Sequence, residues 1–241
     1  MIKIFVDESL TEGIKFGLSG ENNRHLRVLR VSTGDEIIVG DRDFTEYYAT
    51  VAGYEKGMYL LETGREKPDA ILPSRHVALY VSVPKKQKLE DIVFRCTQIG
   101  ISEFNLLTSE RTVKILDQHN IGKTIERCVK KARAASELCG RKYIPRIGSN
   151  IEDIDISLEN FRKKGFSSGI FLWEESAGEY ISGKDLSDRI AVFVGPEGGF
   201  TEREAQKAIG SGLVVRSMGR LVMDVETACM AASALLLNQG I

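Results

Sequence analysis

The residues whose types and spacing point most directly to chemistry are Gly195-Pro-Glu-Gly-Gly199, between the apolar run Ile190 to Val194 and the pair Thr201 and Glu204. The run is short, β-branched and aromatic, and reads as a buried strand. The glycines break it and admit positive φ. Thr201 with Glu204 three residues later has the form of a capping box, which starts a helix. A glycine turn between the C-terminal end of a strand and the N-terminus of a helix is where open α/β sheets bind ligands. The turn has neither the G-x-G-x-x-G spacing of a dinucleotide site nor the Gly-Lys-Ser/Thr ending of a P-loop. No lysine stands where it would meet phosphates. Glu197 would repel an anion and suits a cationic or amine-bearing ligand, such as a sulfonium cofactor with an amino acid tail.

The elements that must position this turn follow from the pattern around it. From Val77 onward strands and helices alternate. Strands are expected at Val77 to Val83, Phe104 to Leu107, Gly169 to Trp173, Ile190 to Val194 and Leu213 to Ser217. Helices are expected at Lys86 to Ile99, Ile121 to Leu138, Ile151 to Lys163, Thr201 to Ile209 and Val225 to Leu237. The alternation implies an α/β domain with a mostly parallel sheet. Residues 1 to about 72 differ: short strand candidates at Ile2 to Val6, Glu36 to Val39, Tyr47 to Val51 and Met58 to Leu61, with one helix near Asn22 to Val31, suggest a small β-barrel-like domain. The polar, proline-bearing segment Gly64 to Ala70 is the expected linker, which divides the chain into domains 1–72 and 73–241. The last helix is rich in small residues and either packs on the sheet or is shared with a second copy.

Composition sets the bounds. The 241 residues are 42% hydrophobic and 28% charged, the profile of an ordinary globular protein. No apolar run approaches the length of a membrane span, and acidic residues interrupt the N-terminal run, unlike a signal peptide. A cytoplasmic protein with no membrane association is expected. Cys96, Cys128, Cys139 and Cys229 are scattered and read as reduced thiols, and with three histidines no metal site is expected. The net charge of −1 conceals basic segments at Arg24 to Arg30, Lys85 to Lys88, Arg127 to Arg133 and Arg141 to Arg146. These are either solvated faces balanced by nearby acids or patches for RNA.

A second loop, Met218-Gly-Arg-Leu-Val-Met-Asp-Val-Glu226-Thr-Ala228, enters the last helix. Together the two loops resemble the SPOUT methyltransferases, and within them the RsmE family, which methylates N3 of a uridine in small-subunit (16S) ribosomal RNA. The resemblance spans essentially the whole chain. Lys85 to Gly100 is similar to the family's strand-proline-lysine-helix segment, Ser109-Glu-Arg-Thr112 to its Ser-Glu-Arg-Ser loop, and Glu137-Leu-Cys-Gly-Arg141 to its Glu-Gln-Ser-Gly-Arg. His25 to Arg30 with Thr33 to Glu36 resembles its N-terminal PUA-like RNA-binding domain. The resemblance implies a SPOUT-type α/β domain with a C-terminal trefoil knot, a small PUA-like β-barrel, S-adenosylmethionine (SAM) as cofactor, ribosomal RNA or the small subunit as partner, and a homodimer. It implies a cofactor pocket of Leu172, Val194, Gly195, Pro196, Glu197, Gly198, Gly199, Met218, Gly219, Leu221, Val222 and Met223. It implies RNA contacts for Arg24, His25, Arg30, Arg95, Arg111 and Arg141, each of which could instead be an exposed or ion-paired structural residue.

The chain departs from the family in the second loop, which usually reads Gly-Pro-Arg-Ile-Leu-Arg-Thr-Glu-Thr-Ala. Aligned from Gly219 to Glu226, Leu221 and Asp224 occupy the arginine positions and Arg220 the proline position. Asp224, Arg220 and Glu226 are the candidate catalytic residues. Asp224 is either a general base or the N-cap of the last helix. Arg220 stands in for the missing cations if it turns into the site. Glu226 is expected to hold loop backbone amides. Trp173 reads as core or pocket wall rather than a base-stacking platform. Two alternatives remain: a related methyltransferase with a different RNA target, or a catalytically weakened RNA-binding assembly factor.

Overall fold

The computed structural model describes residues 1–68, 71–84, 88–112, 118–176 and 179–238. They form two compact units, Met1–Leu72 with Ser136–Ile144, and Pro73–Ala135 with Pro145–Ile241.

In the first unit, β1 (Lys3–Phe5), β2 (Lys15–Gly17), β3 (Glu36–Gly40), β4 (Glu46–Glu55) and β5 (Met58–Glu66) form one sheet in the order β1-β3-β4-β5-β2. β1 and β3 pair in parallel and the other pairs are antiparallel. Alternate side chains such as Ile37 and Val39, Ala49 and Val51, and Tyr59 and Leu61 turn into a core closed by Leu26 of α1 (Gly20–Val28). Two expectations need correction. β2 was not anticipated, because three residues with little buried surface carry no periodic signal. β5 continues through Glu66, so Gly64 to Glu66 of the expected linker is strand; residues 69 and 70 of that linker lie outside the described residues.

Ser136–Ile144 also belongs to this unit, although the sequence assigns it to a single domain 73–241. The cause is a buried cation. Lys3 is only 3% exposed; its ammonium pairs with Glu46 and donates to the carbonyl of Arg141, with that of Gly140 at 3.5 Å. Glu137 accepts from the Phe5 amide at 3.3 Å, and Lys142 N–H donates to the Ile71 carbonyl at 3.0 Å. Because α3 (Gln118–Cys139) runs unbroken across the boundary, nothing in its helical periodicity marks the change of unit.

The second unit is a six-stranded, wholly parallel sheet in the order β11-β9-β10-β6-β7-β8, from β6 (His76–Ser82), β7 (Glu103–Thr108), β8 (Arg146–Asp153), β9 (Ser168–Leu172), β10 (Arg189–Val194) and β11 (Val214–Arg216). The central strands β6 and β10 are buried on both faces and read as continuous apolar runs, as parallel strands do. Tyr80 stacks on Phe193 at 4.4 Å, and Phe171 on Phe200 at 4.1 Å. The helices are α2 (Lys88–Ile99), α3, α4 (Ile154–Asn160), α5 (Glu202–Gly210) and α6 (Val225–Leu237). Lys86 and Gln87, expected to open α2, lie outside the described residues.

The expected helix Ile151 to Lys163 is corrected to strand β8 followed by the shorter α4, which starts where Asp153 accepts the Asp155 amide at 2.9 Å. β8 is a largely solvated edge strand and lacks the apolar alternation that would have revealed it. The functional consequence of the topology is simple. β10, β9 and β11 are neighbours running the same way, so the loops after Val194, Leu172 and Arg216 leave the same edge of the sheet side by side. No helix among the described residues is long and apolar enough to cross a membrane.

Glu103, 4% exposed at the start of β7, couples stability to pH. Burial opposes its ionisation, but the His76 imidazole with Nε2 3.7 Å away, hydrogen bonds from Arg146 and Asn105, and the Arg146 charge outweigh it and bring its pKa down to about 2. A carboxylate depressed in the folded state stabilises above its unfolded pKa and loses that contribution as pH falls toward the folded value. Glu103→Gln should therefore cost about 2 kcal/mol at pH 7, by urea unfolding, with the gap to the parent closing between about pH 4.5 and 2.

Candidate functional site

The glycine turn is fixed from three directions. Within it, the Gly199 amide donates to the Pro196 carbonyl at 2.8 Å, with Gly199 at φ +68°. A side chain at 199 would be strained and would overlap the Glu174 carboxylate, and one at 195 would come within 3.1 Å of the Phe200 nitrogen. Behind it, Thr201 and Glu204 form the capping box that the sequence predicts: Glu204 accepts from the Thr201 amide at 2.8 Å, and the Thr201 hydroxyl accepts from the Glu204 amide at 3.3 Å. The other oxygen of Glu204, a fully buried residue, accepts from the Glu110 amide at 2.9 Å. From the same loop after β7, Arg111 donates to the Gly198 carbonyl at 2.8 Å.

The second loop begins at Ser217, whose amide donates to the Glu179 carbonyl at 2.6 Å. Arg220 is exposed, as are Leu221 and Val222, at 82% and 88%. Asp224 is the N-cap of α6 and accepts from the Thr227 amide at 2.9 Å. Hydrogen bonding from the Thr227 side chain, and then from its amide, holds the carboxyl pKa below the ordinary range, so Asp224 is a weak proton acceptor. Among the described residues, the partner of the Glu226 carboxylate is Lys88 rather than the expected loop amide. The carboxylate accepts from Lys88 Nζ at 2.6 Å, and the same ammonium lies 3.8 Å from Asp224. The Glu226 hydrogen bond, against a smaller opposing effect of burial, raises the Lys88 pKa, with the charges of Glu226, Asp224 and Glu197 adding to it.

Between the two loops and the end of β9 lies an open cleft. Its walls include Leu172, Val194, Gly195, Pro196, Glu197, Gly199, Met218, Gly219, Leu221, Val222 and Met223. Of the predicted pocket residues, Gly198 alone is missing from the walls; it packs against Arg111 instead. Trp173, Glu174, Ser217, Val225 and Ala228 complete the lining. Sequence reasoning missed Glu174, although its place just after a strand at the ligand-binding edge of a parallel sheet is a usable signal. The lining holds two carboxylates, Glu174 and Glu197, and among the described residues no lysine, arginine or histidine. Such a wall disfavours phosphates and suits a cation-bearing ligand with an apolar or aromatic body.

The basic candidates separate. Arg24 and Arg30 are exposed in the first unit, and His25 Nδ1 lies 3.7 Å from a Glu137 oxygen there. Arg30 sits at φ +54° just past α1, a position that favours glycine. Arg95 is exposed on α2 in the second unit, with no ion pair among the described residues. Arg111 braces the turn rather than standing free. Arg141 is 3% exposed and lies over the Tyr143 ring at 4.6 Å, so burial removes it from the RNA-accessible surface expected of it.

A sequence model described as an RNA methyltransferase domain matches residues 72–237. Ribosomal RNA small subunit methyltransferase E of Bacillus subtilis (strain 168) is 26% identical over 243 residues, covering 93% of this chain and 90% of that protein. The protein of the same name from Synechocystis sp. is 28% identical over 216 residues, covering 86% and 67% respectively. Among solved structures, a ribosomal RNA small subunit methyltransferase E from Neisseria gonorrhoeae bound to S-adenosyl methionine matches with a TM-score of 0.85 at 25% identity, covering 97% of this chain and 95% of that one.

The bracing of the turn is testable. Glu204→Ala strands the Thr201 and Glu110 amides and should cost about 3 kcal/mol in chemical unfolding. Arg203→Ala, which removes an exposed ion pair to Glu110, should leave the midpoint unchanged within error.

Proposed function

The chain belongs to the RNA methyltransferase domain family and carries its SPOUT-type α/β fold, and from that premise we propose that it is a SAM-dependent methyltransferase acting on N3 of a uridine in 16S ribosomal RNA. The observation that carries the reading is the cleft itself: backbone-rich glycine walls, apolar side chains and two carboxylates, with no cation lining it among the described residues. That donor set fits a cofactor with a sulfonium, an amine and an adenine. It does not fit a nucleoside triphosphate.

When bound, SAM supplies an electrophilic sulfonium methyl. The Val194 to Gly199 turn and the Met218 to Met223 loop would hold it, with the braces from Arg111 and Glu204 keeping the turn in shape beforehand. Uracil N3 must be unpaired to be reached, must lose a proton, and leaves an anion to be stabilised. Arg220 is the candidate for that anion: it is exposed beside the cleft wall and has no partner among the described residues. Asp224 acts as a helix cap and Glu226 as the anchor of Lys88. In the first unit, read as a PUA-like RNA-binding domain, Arg24 and Arg30 face solvent; a non-glycine residue kept at positive φ supports a role for the Arg30 side chain.

We also propose a homodimer in the cytoplasm. Leu221 and Val222, large apolar side chains left almost wholly in water next to the cleft, support completion of the site by a second copy. A second reading, methylation of a different RNA position, is favoured by Leu221 and Asp224 where the family carries arginines.

Mass mapping of nucleosides in 16S RNA, incubated with the protein and SAM both as free RNA and within the small subunit, should show one N3-methyluridine in at least one of the two. A methyl group at another position would support the second reading, and no methylation would refute both. On that assay Arg220→Ala should lower kcat/KM by about tenfold to a hundredfold with SAM affinity unchanged. Asp224→Asn, which keeps a good cap, should retain most activity; near-complete loss with SAM binding intact would make Asp224 the base.

A further inference from the structure

We propose that Glu174 selects the cofactor by charge, pairing with a cationic group of the bound SAM; this rests on the functional reading above. Glu174 follows β9 in a tight segment anchored at both ends. The Trp173 amide donates to the Arg216 carbonyl at 2.9 Å, and the Ser176 amide returns to the Trp173 carbonyl at 3.2 Å. The segment delivers the Glu174 carboxylate onto Gly199, close enough that any side chain there would overlap it. The φ of +68° favours glycine at 199, and its lack of a side chain lets the Glu174 carboxylate lie against the turn.

The two carboxylates of the cleft are not equivalent. Glu197 lies within the field of Lys88, one of three acids acting on that ammonium. Glu174 is not among them, and its side chain has no hydrogen bond or ion pair among the described residues. Glu174 is exposed, shares the lining with a second carboxylate, and meets no lysine, arginine or histidine there among the described residues, so the cleft presents net negative charge to whatever enters it. A ligand that brings positive charge is attracted by it, and an anionic or neutral ligand is not. SAM brings two cationic groups, the sulfonium and the α-ammonium, against one carboxylate. Glu174 thus accounts for preference toward the charged cofactor, while the glycine backbone and apolar walls provide contacts that any adenosine derivative can use.

The test is calorimetric titration of the parent protein and Glu174→Gln with two ligands. SAM carries both cations; 5′-methylthioadenosine keeps the adenosine and the sulfur but has neither charge. The substitution preserves side-chain shape, and equal melting temperatures establish that the fold is intact. The expected result is about tenfold weaker SAM binding by Glu174→Gln, methylthioadenosine binding within about twofold of the parent, and a smaller SAM deficit at high salt. Unchanged SAM affinity in the variant overturns the proposal alone. Equal weakening of both ligands also overturns it, because the carboxylate would then support the turn rather than read charge. Failure of the parent protein to bind SAM overturns the functional reading, and this proposal with it.

Discussion

The buried carboxylate of Glu204 is the contact on which the site depends. It lies in the first turn of α5, accepts from the Thr201 amide through one oxygen and from the Glu110 amide through the other, and is fully excluded from water. A carboxylate in that environment is tolerated only when its lone pairs are met. Satisfying it fixes where α5 begins and where the loop after β7 lies. With that loop in place, Arg111 reaches the Gly198 carbonyl, and the turn from Gly195 to Gly199 has little freedom left. A single local pairing, Thr201 with Glu204, is thereby joined to the loop after β7, nearly a hundred residues away in sequence.

The parallel sheet determines what this rigid turn faces. With β9 between β10 and β11, the three loops that leave one edge are the glycine turn, the Trp173-Glu174 segment and the loop from Ser217 to Asp224. Strand direction therefore produces the cleft, and the residue types in the loops produce its charge. No lysine or arginine enters the lining among the described residues. Lys88 is not part of that lining; it is tied to Glu226, lies near Asp224 at the N-terminal end of α6, and also feels the charge of Glu197 in the cleft wall.

What the sequence revealed depended on the range of the interaction. The strand-turn-helix around Gly195 and the last helix from Val225 were legible, because capping and apolar runs are local signals. β8 was missed, since an edge strand in water has no apolar alternation to read. The return of Ser136–Ile144 to the first unit was invisible, because it depends on Lys3 meeting Gly140 and Arg141 across more than a hundred residues. The arginines show the same limit. Arg111 and Arg141 look alike in a list of basic loop residues, yet one braces a turn and the other is buried over Tyr143. Asp224 resolved the other way: cap or base was open from sequence, and the bond to the Thr227 amide with the lowered pKa favours the cap.

In the proposed function, one preformed, acid-lined cleft at the β9, β10 and β11 edge receives the cofactor. Amide hydrogen exchange with and without saturating SAM tests it most directly. New protection is expected to concentrate in residues 172–174, 194–200 and 217–225, with the first unit unchanged. Protection elsewhere, or none in these three loops while SAM is bound, would contradict it.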